Sequence, residues 1–367
     1  MNSIIRTLLP LFLASGMGGY SLNAMDIQHA HSSTEEESHS SELNYARLEN
    51  DFNLEYKFNT LVVSPTGKSF LTKSYDASIR LWNIETGEPL TTLTGNNGII
   101  DSVAYSPNEK LILTGSRDGT ICVWDVQTEK VSKVIKRGTA ANHIDTEAIN
   151  TVAFSPDGKI FFTGSENGKL CTWDSETGSL LNKSEMKMIG VSSAVFSLDG
   201  EQILMGSFSG KVFQKTSKLH PLRQIEQNTI NGWKVNDGIT TVAFSPNRKT
   251  FLAGSDNGKV CLWGFKGPKS TLLRTFEGHS KGWYTKQILA VAFSQTGKII
   301  FTGSRDGIVR LWSSKTGELL KTLHVNNNNE IKSLAFSPDC KTIMVGTKGN
   351  GLIVWKRVGK EHVEAKK

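Results

Sequence analysis

Residues 151–174 read TVAFSPDGKIFFTGSENGKLCTWD, three short apolar runs separated by two tight turns. Val-Ala-Phe before the serine predicts a strand. Pro-Asp-Gly-Lys predicts a tight turn, because Asp and Gly tolerate the backbone angles such a turn requires. IFFTGS is a second strand, Glu-Asn-Gly a second turn and KLCTWD a third strand, and SLLNKS just beyond supplies a fourth. The first phrase recurs seven times, on the serines Ser64, Ser106, Ser155, Ser197, Ser245, Ser294 and Ser337. A second anchor follows at a fixed distance: Ser74, Ser116, Ser165, Ser207, Ser255, Ser304 and Thr347. A third column reads Trp82, Trp124, Trp173, Lys215, Trp263, Trp312 and Trp355, broken only by Lys215. A four-stranded meander of this kind has two apolar faces and cannot bury itself alone. Units of this length must stack, and closing them into a ring leaves only short edges.

Composition agrees with a globular chain. Of 367 residues, 21% are charged and 38% hydrophobic, and no apolar run is long enough to span a membrane. Four cysteines exclude a disulfide-built scaffold. Cys122, Cys171 and Cys261 share one column, two residues before a Trp, so they are expected buried in three different blades without a disulfide. Cys340 falls in a hairpin turn and is expected to be the accessible thiol.

The pattern resembles the WD-repeat β-propeller family. The residues that carry the likeness are Trp124-Asp125, Trp173-Asp174, the G-S-x-D-G turns at 115–119 and 303–307, and Gly278-His279. The resemblance covers residues 45–358. It implies an all-β fold, a single seven-bladed propeller of four-stranded antiparallel blades. It also implies that residues 45–54, which have no blade of their own, complete blade seven. In this family a His, a Ser, a turn Asp and the Trp form a structural hydrogen-bond network, and only His279, Ser304, Asp306 and Trp312 match it fully. In repeat four, Lys215 and Ser209 stand for Trp and Asp.

The N-terminus differs from the repeats. Residues 1–24 hold one charge, Arg6, then a short apolar run and small residues up to Ala24, which reads as a secretory signal peptide. Export, periplasmic or secreted, is then expected; otherwise the protein is cytoplasmic. Residues 25–44 carry five acids and no Lys or Arg, and read as a disordered linker; residues 359–367 form a charged tail. His29, His31 and His39 lack a fourth ligand and fit a solvated tail better than a metal site.

Candidate chemistry is sparse. The positions expected to line the channel, such as Thr60, Ser102, Thr151, Ser193, Thr241, Ala290 and Ser333, include no His, Cys, Asp or Glu. Neither metal binding nor acid–base catalysis is expected there, so no cofactor and no enzymatic role is assigned. No phosphate-loop, zinc-protease or nucleophile-elbow motif is present. Lys68, Lys110, Lys159, Lys249, Lys298 and Lys341 recur at one turn, as either a polyanion surface or a plain turn preference. The preference is favoured, and without interleaved aromatics nucleic acid is not an expected partner.

The repeats vary in length only after the Trp. Three connections, 137–148, 228–238 and 277–287, are longer than the rest by about six residues. By the resemblance, such segments reach the partner face. Two of them hold Trp233, Trp283 and Tyr284, candidate interface anchors. Arg117 and Arg305, in the G-S-x-D-G turns, are counted with them. The expected function is a non-catalytic, monomeric platform for a protein or peptide partner. The alternatives are an exported propeller enzyme or small-ligand binder using the channel mouth, and polyanion binding through the turn lysines.

Overall fold

The computed structural model describes residues 20–21, 45–47, 52–53, 58–74, 76–95, 98–136, 147–185, 190–216, 223–224, 237–266, 269–279, 286–325, 331–337, 339–347 and 351–358. They form seven antiparallel sheets in ring order. Blade one comprises Phe58–Val63, Ser69–Ser74, Ile79–Asn83 and Pro89–Leu93. Blades two to six repeat this meander from inner strands Ile100–Tyr105, Ile149–Phe154, Val191–Phe196, Ile239–Phe244 and Ile288–Phe293. Blade seven begins at Ile331–Phe336. Its outer edge comes from the other end of the chain: Tyr45–Arg47 and Phe52–Asn53 both pair antiparallel with Gly351–Arg357. Each inner strand lies against the next, and that of blade seven against that of blade one. Tyr20–Ser21 runs parallel to the inner strand of blade six.

Uniform columns in the sequence become uniform contacts. The second strand of most blades is buried almost throughout, as in Ile160–Ser165. Its penultimate residue is Gly in six blades, and at Gly115, Gly164, Gly206, Gly254 and Gly303 the next blade packs directly on it. A Cβ at Gly115 would lie 2.3 Å from Ile149 Cγ2, and one at Gly303 would lie 2.1 Å from Leu334 Cδ2. Blade one alone places a side chain there, Lys73. The column tryptophans stack on the second strand, with Phe70–Trp82, Phe161–Trp173 and Phe251–Trp263 centroids 6.1–6.2 Å apart. Trp82, Trp124, Trp173 and Trp312 each donate Nε1–H to the threonine ten residues earlier, at 2.8–3.1 Å.

Blade five keeps the Trp and loses the threonine. Ala253 occupies that position, and the buried Trp263 Nε1 has no partner. An unpaired buried donor costs roughly 1–3 kcal/mol. Ala253→Thr should therefore raise stability by about 1 kcal/mol, read as a higher urea midpoint; an unchanged or lower midpoint would show that the site cannot admit the larger side chain. In blade four Lys215 is buried where the others hold Trp, and its ammonium binds Ser184 Oγ of blade three. Burial lowers its pKa. Among the described residues the fourth strand of that blade is Arg223–Gln224.

All four cysteines are free and buried. For Cys340 this corrects the expectation of an accessible thiol. It sits at the left-handed turn position, φ 53°, but its Sγ donates to Phe293 O of blade six at 3.4 Å. Complete burial pushes the thiol up to about 12, so it is both hidden and protonated.

Candidate partner-binding face

The hairpin between the second and third strands is Ser-x-Asp/Asn/Ser-Gly in blades two to six, and three of its four positions are committed to structure. The serine and the third residue hold one another or the backbone: Ser165 Oγ donates to Asn167 Oδ1 at 2.7 Å, and Asp118 Oδ1 accepts from Thr120 N–H at 3.0 Å. The glycine takes a left-handed φ of 79–87°. The remaining position makes one backbone bond common to all five blades. Arg117, Glu166, Phe208, Asp256 and Arg305 each donate N–H, at 2.8–3.2 Å, to the carbonyl just before the inner strand of their own blade: Ile99, Ala148, Gly190, Gly238 and Gln287. Their side chains are thereby arrayed in blade order around the channel mouth.

This arc is chemically uneven. Glu166, Phe208 and Asp256 fall on consecutive blades, and Phe208 is 44% exposed. The residues beside them are Ala148, Gly190 and Gly238. A Cβ at Gly190 would meet Glu166 O at 2.4 Å and Phe208 Cδ2 at 3.0 Å, so no side chain covers the ring from that side. Burial pushes the Asp256 carboxyl above its usual range, and the Asp237 charge adds to it. On the far side of the arc, Arg117 spans Asp101 with two bonds, Nη2 to Oδ1 at 3.1 Å and Nε to Oδ2 at 3.2 Å.

Of the residues expected from sequence, Arg117 and Arg305 lie on this face, on blades two and six. Trp233, Trp283 and Tyr284 lie outside the described residues, although their connections leave and re-enter the fold on the same end, at Glu277–His279, Lys286–Gln287 and Asp237–Gly238. Phe208 was passed over in the sequence. Its signal was available: it occupies the variable position of an otherwise fixed turn.

The expected structural network is present with one correction. His279 Nδ1 faces Asp306 Oδ2 at 3.0 Å and Nε2 meets Thr302 Oγ1 at 2.9 Å, while Thr302 accepts from Trp312. The hydroxyl in the relay is thus Thr302, not Ser304, because threonine's side chain lies level with the Trp indole across the strand pair. Ser304 Oγ instead accepts from Asp306 N–H at 3.3 Å. The Arg310 guanidinium also lies against the imidazole and donates to Asp306 Oδ2 at 3.2 Å, so the ring is held from both nitrogens. Blade one, without a histidine, locks its turn with Arg80, whose guanidinium reaches Ser74, Ser78 and Asp76 at 2.6–2.8 Å.

Burial drives the His279 pKa below its ordinary 6.5, against the opposing pull of Asp306. The folded state therefore favours neutral imidazole. This group's contribution is complete above pH 6.5 and is lost as pH falls below it, at up to about 1.4 kcal/mol per pH unit until the folded-state pKa is reached. Urea midpoints between pH 7.5 and 5 should fall more steeply for the native chain than for His279→Gln. Parallel slopes would mean that His279 does not titrate differently on folding.

Among the described residues no group of three His, Cys, Asp or Glu could hold a metal ion, and no helix is long and apolar enough to cross a membrane. In the channel, Ser102 Oγ accepts Val152 N–H of the next blade at 3.0 Å, and the Thr151, Ser193 and Ser333 hydroxyls have no protein partner.

Fold and face together define a repeat-built β-propeller with a variable rim on an invariant frame. The family model described as WD domain, G-beta repeat matches residues 87–125, 136–174, 225–264, 270–313 and 317–356. These cover 202 of the 367 residues, and the chain belongs to the WD40 family. The two repeats left unmatched are those ending at Trp82-Asn83 and at Lys215. No curated protein matches the sequence. Propellers of this family are generally platforms for protein partners.

Proposed function

We propose that the protein is a non-catalytic platform that binds a protein or peptide across the channel mouth. The supporting observation is the contrast within one turn. Three positions repeat from blade to blade for structural reasons, and the fourth, held by the same N–H bond in each of these blades, carries Arg, Glu, Phe, Asp and Arg in succession. Phe208, between the carboxylates of neighbouring blades, suits a partner segment that presents a Lys or Arg side chain to the aromatic face.

A random peptide library selected on the purified propeller tests this. Selected peptides should be enriched in Lys or Arg. They should lose about 30-fold in affinity on Phe208→Ala, as expected for truncation of an interface anchor, and little on Lys110→Ala at the opposite end. Peptides that bind the Phe208 variant undiminished would place recognition elsewhere.

A further inference from the structure

The opposite face is formed by the first-to-second and third-to-fourth strand turns. Neighbouring turns touch: a Cβ at Gly67 would lie 3.8 Å from Ser337 Cβ, one at Gly158 3.2 Å from Pro107 Cδ, and one at Gly297 3.5 Å from Pro246 Cδ. All six turn lysines are exposed on this ring. Their symmetry hides a division. On blades five to seven the described turns and the strand ends that flank them carry six cations, Arg248, Lys249, Lys298, Lys315, Lys341 and Arg357, against two acids, Glu318 and Asp339. On blades two to four they carry eight acids, including Asp157, Glu176, Asp199 and Glu201, against Lys110, Lys130 and Lys159. Arg248 pairs with Asp199 across one boundary.

We infer that the basic half of this face is the docking surface for the chain's own acidic segment, residues 25–44. That segment has five acids, Asp26, Glu35, Glu36, Glu37 and Glu42, and no Lys or Arg. It joins the described fold at Tyr45, within the basic half. Tyr45 pairs with Arg357, its hydroxyl donates to Cys340 O at 2.5 Å, and Lys341 is the next residue. Glu35–Glu37 are eight to ten residues from this point, a reach of roughly 25–35 Å. Covalent attachment at that distance holds the local concentration of carboxylates near the millimolar range. The acidic half next to it selects against longer occupants. A nucleic-acid duplex or an anionic bilayer lying across the ring would meet eight acids on blades two to four, whereas a short segment stays within blades five to seven.

Zero-length carbodiimide coupling of the full chain in low salt, followed by peptide mapping, tests the assignment. Glu35–Glu37 and Glu42 should couple to Lys249, Lys298, Lys315 or Lys341, and coupling should fall at least fivefold in 0.5 M salt. The triple variant Glu35→Gln, Glu36→Gln, Glu37→Gln leaves the propeller intact and should bind a heparin column more tightly, with its elution moved to higher salt. Adding Lys298→Glu and Lys341→Glu should abolish that shift. Couplings spread equally over Lys110, Lys130 and Lys159, or unchanged heparin elution of the triple variant, would overturn the assignment. Tight binding of the unaltered full chain to duplex DNA or phosphatidylserine vesicles at physiological salt would do the same, showing the surface open to long polyanions.

Discussion

Tyr45→Ala is expected to lower stability by about 3–5 kcal/mol, the range for truncating a large buried side chain. Tyr45→Phe should lower it by about 1–2 kcal/mol, the cost of leaving the Cys340 carbonyl without its donor. The tyrosine is 9% exposed and makes two contacts within blade seven and one to blade six. Its backbone pairs with Arg357, its hydroxyl binds Cys340 O, and its ring meets Phe301 of blade six edge-on at 6.4 Å. A chain begun at Asn44 keeps all of these and should melt with the full chain. A chain begun at Glu55 exposes the unpaired edge of Gly351–Arg357 and should melt far earlier. Coincident melts of the two truncations would mean that closure does not depend on this strand.

Lys73→Met is expected to stabilise the protein at neutral pH. Lys73 is 3% exposed in a column otherwise made of glycine, and its Nζ donates to Asp101 O at 2.7 Å. Burial is the main cause that lowers its pKa to about 8 from 10.5, with the Asp101 charge opposing and the Arg117 charge assisting. The folded state thus binds fewer protons than the unfolded state between pH 8 and 10.5. Stability from this group rises over that window and is missing below it, by about 3 kcal/mol at most. Methionine fills similar space without a charge, so a gain of about 1–3 kcal/mol is expected at pH 7.5, shrinking by pH 9.5. Urea midpoints of both chains at the two pH values decide it. A variant that is less stable by the same margin at both would show that the bond to Asp101 outweighs the cost of burying the ammonium.

The architecture was legible because its physics repeats. The spacing from anchor serine to Trp is constant, each turn has its own chemistry, and the excess length falls outside the blades. The residues misread are those whose role depends on a neighbour in space. Ser304 and Thr302 are both hydroxyls on one strand, and only the position of the Trp312 indole selects Thr302. Cys340 looked exposed because it is in a turn, yet the contact with blade six that hides it lies 47 residues away in sequence. Phe208 was obscured for the opposite reason. It stands at the one turn position where the repeat imposes no identity, so the pattern that revealed the propeller also treated that residue as noise. The division of charge on the turn face was hidden in the same way, since the lysine column is regular and the unevenness comes from the residues around it.

The strand that seals blade seven has a consequence for how the protein is made. Tyr45 leaves the ribosome early, and its partner carbonyl at Cys340 is encoded 295 residues later. At about 5–20 residues per second, that interval is roughly 15–60 s. Blades one to six can form in order as they emerge, each from neighbouring segments, but the ring stays open until the last blade arrives. During that time the Tyr45 strand has no mate, and afterwards the edge of blade seven will accept whichever copy of that strand reaches it first. On a crowded polysome the competing strand belongs to the adjacent nascent chain. Exchanged dimers, each ring sealed by the other's N-terminal strand, are therefore the expected by-product of rapid overproduction, and slower synthesis should suppress them.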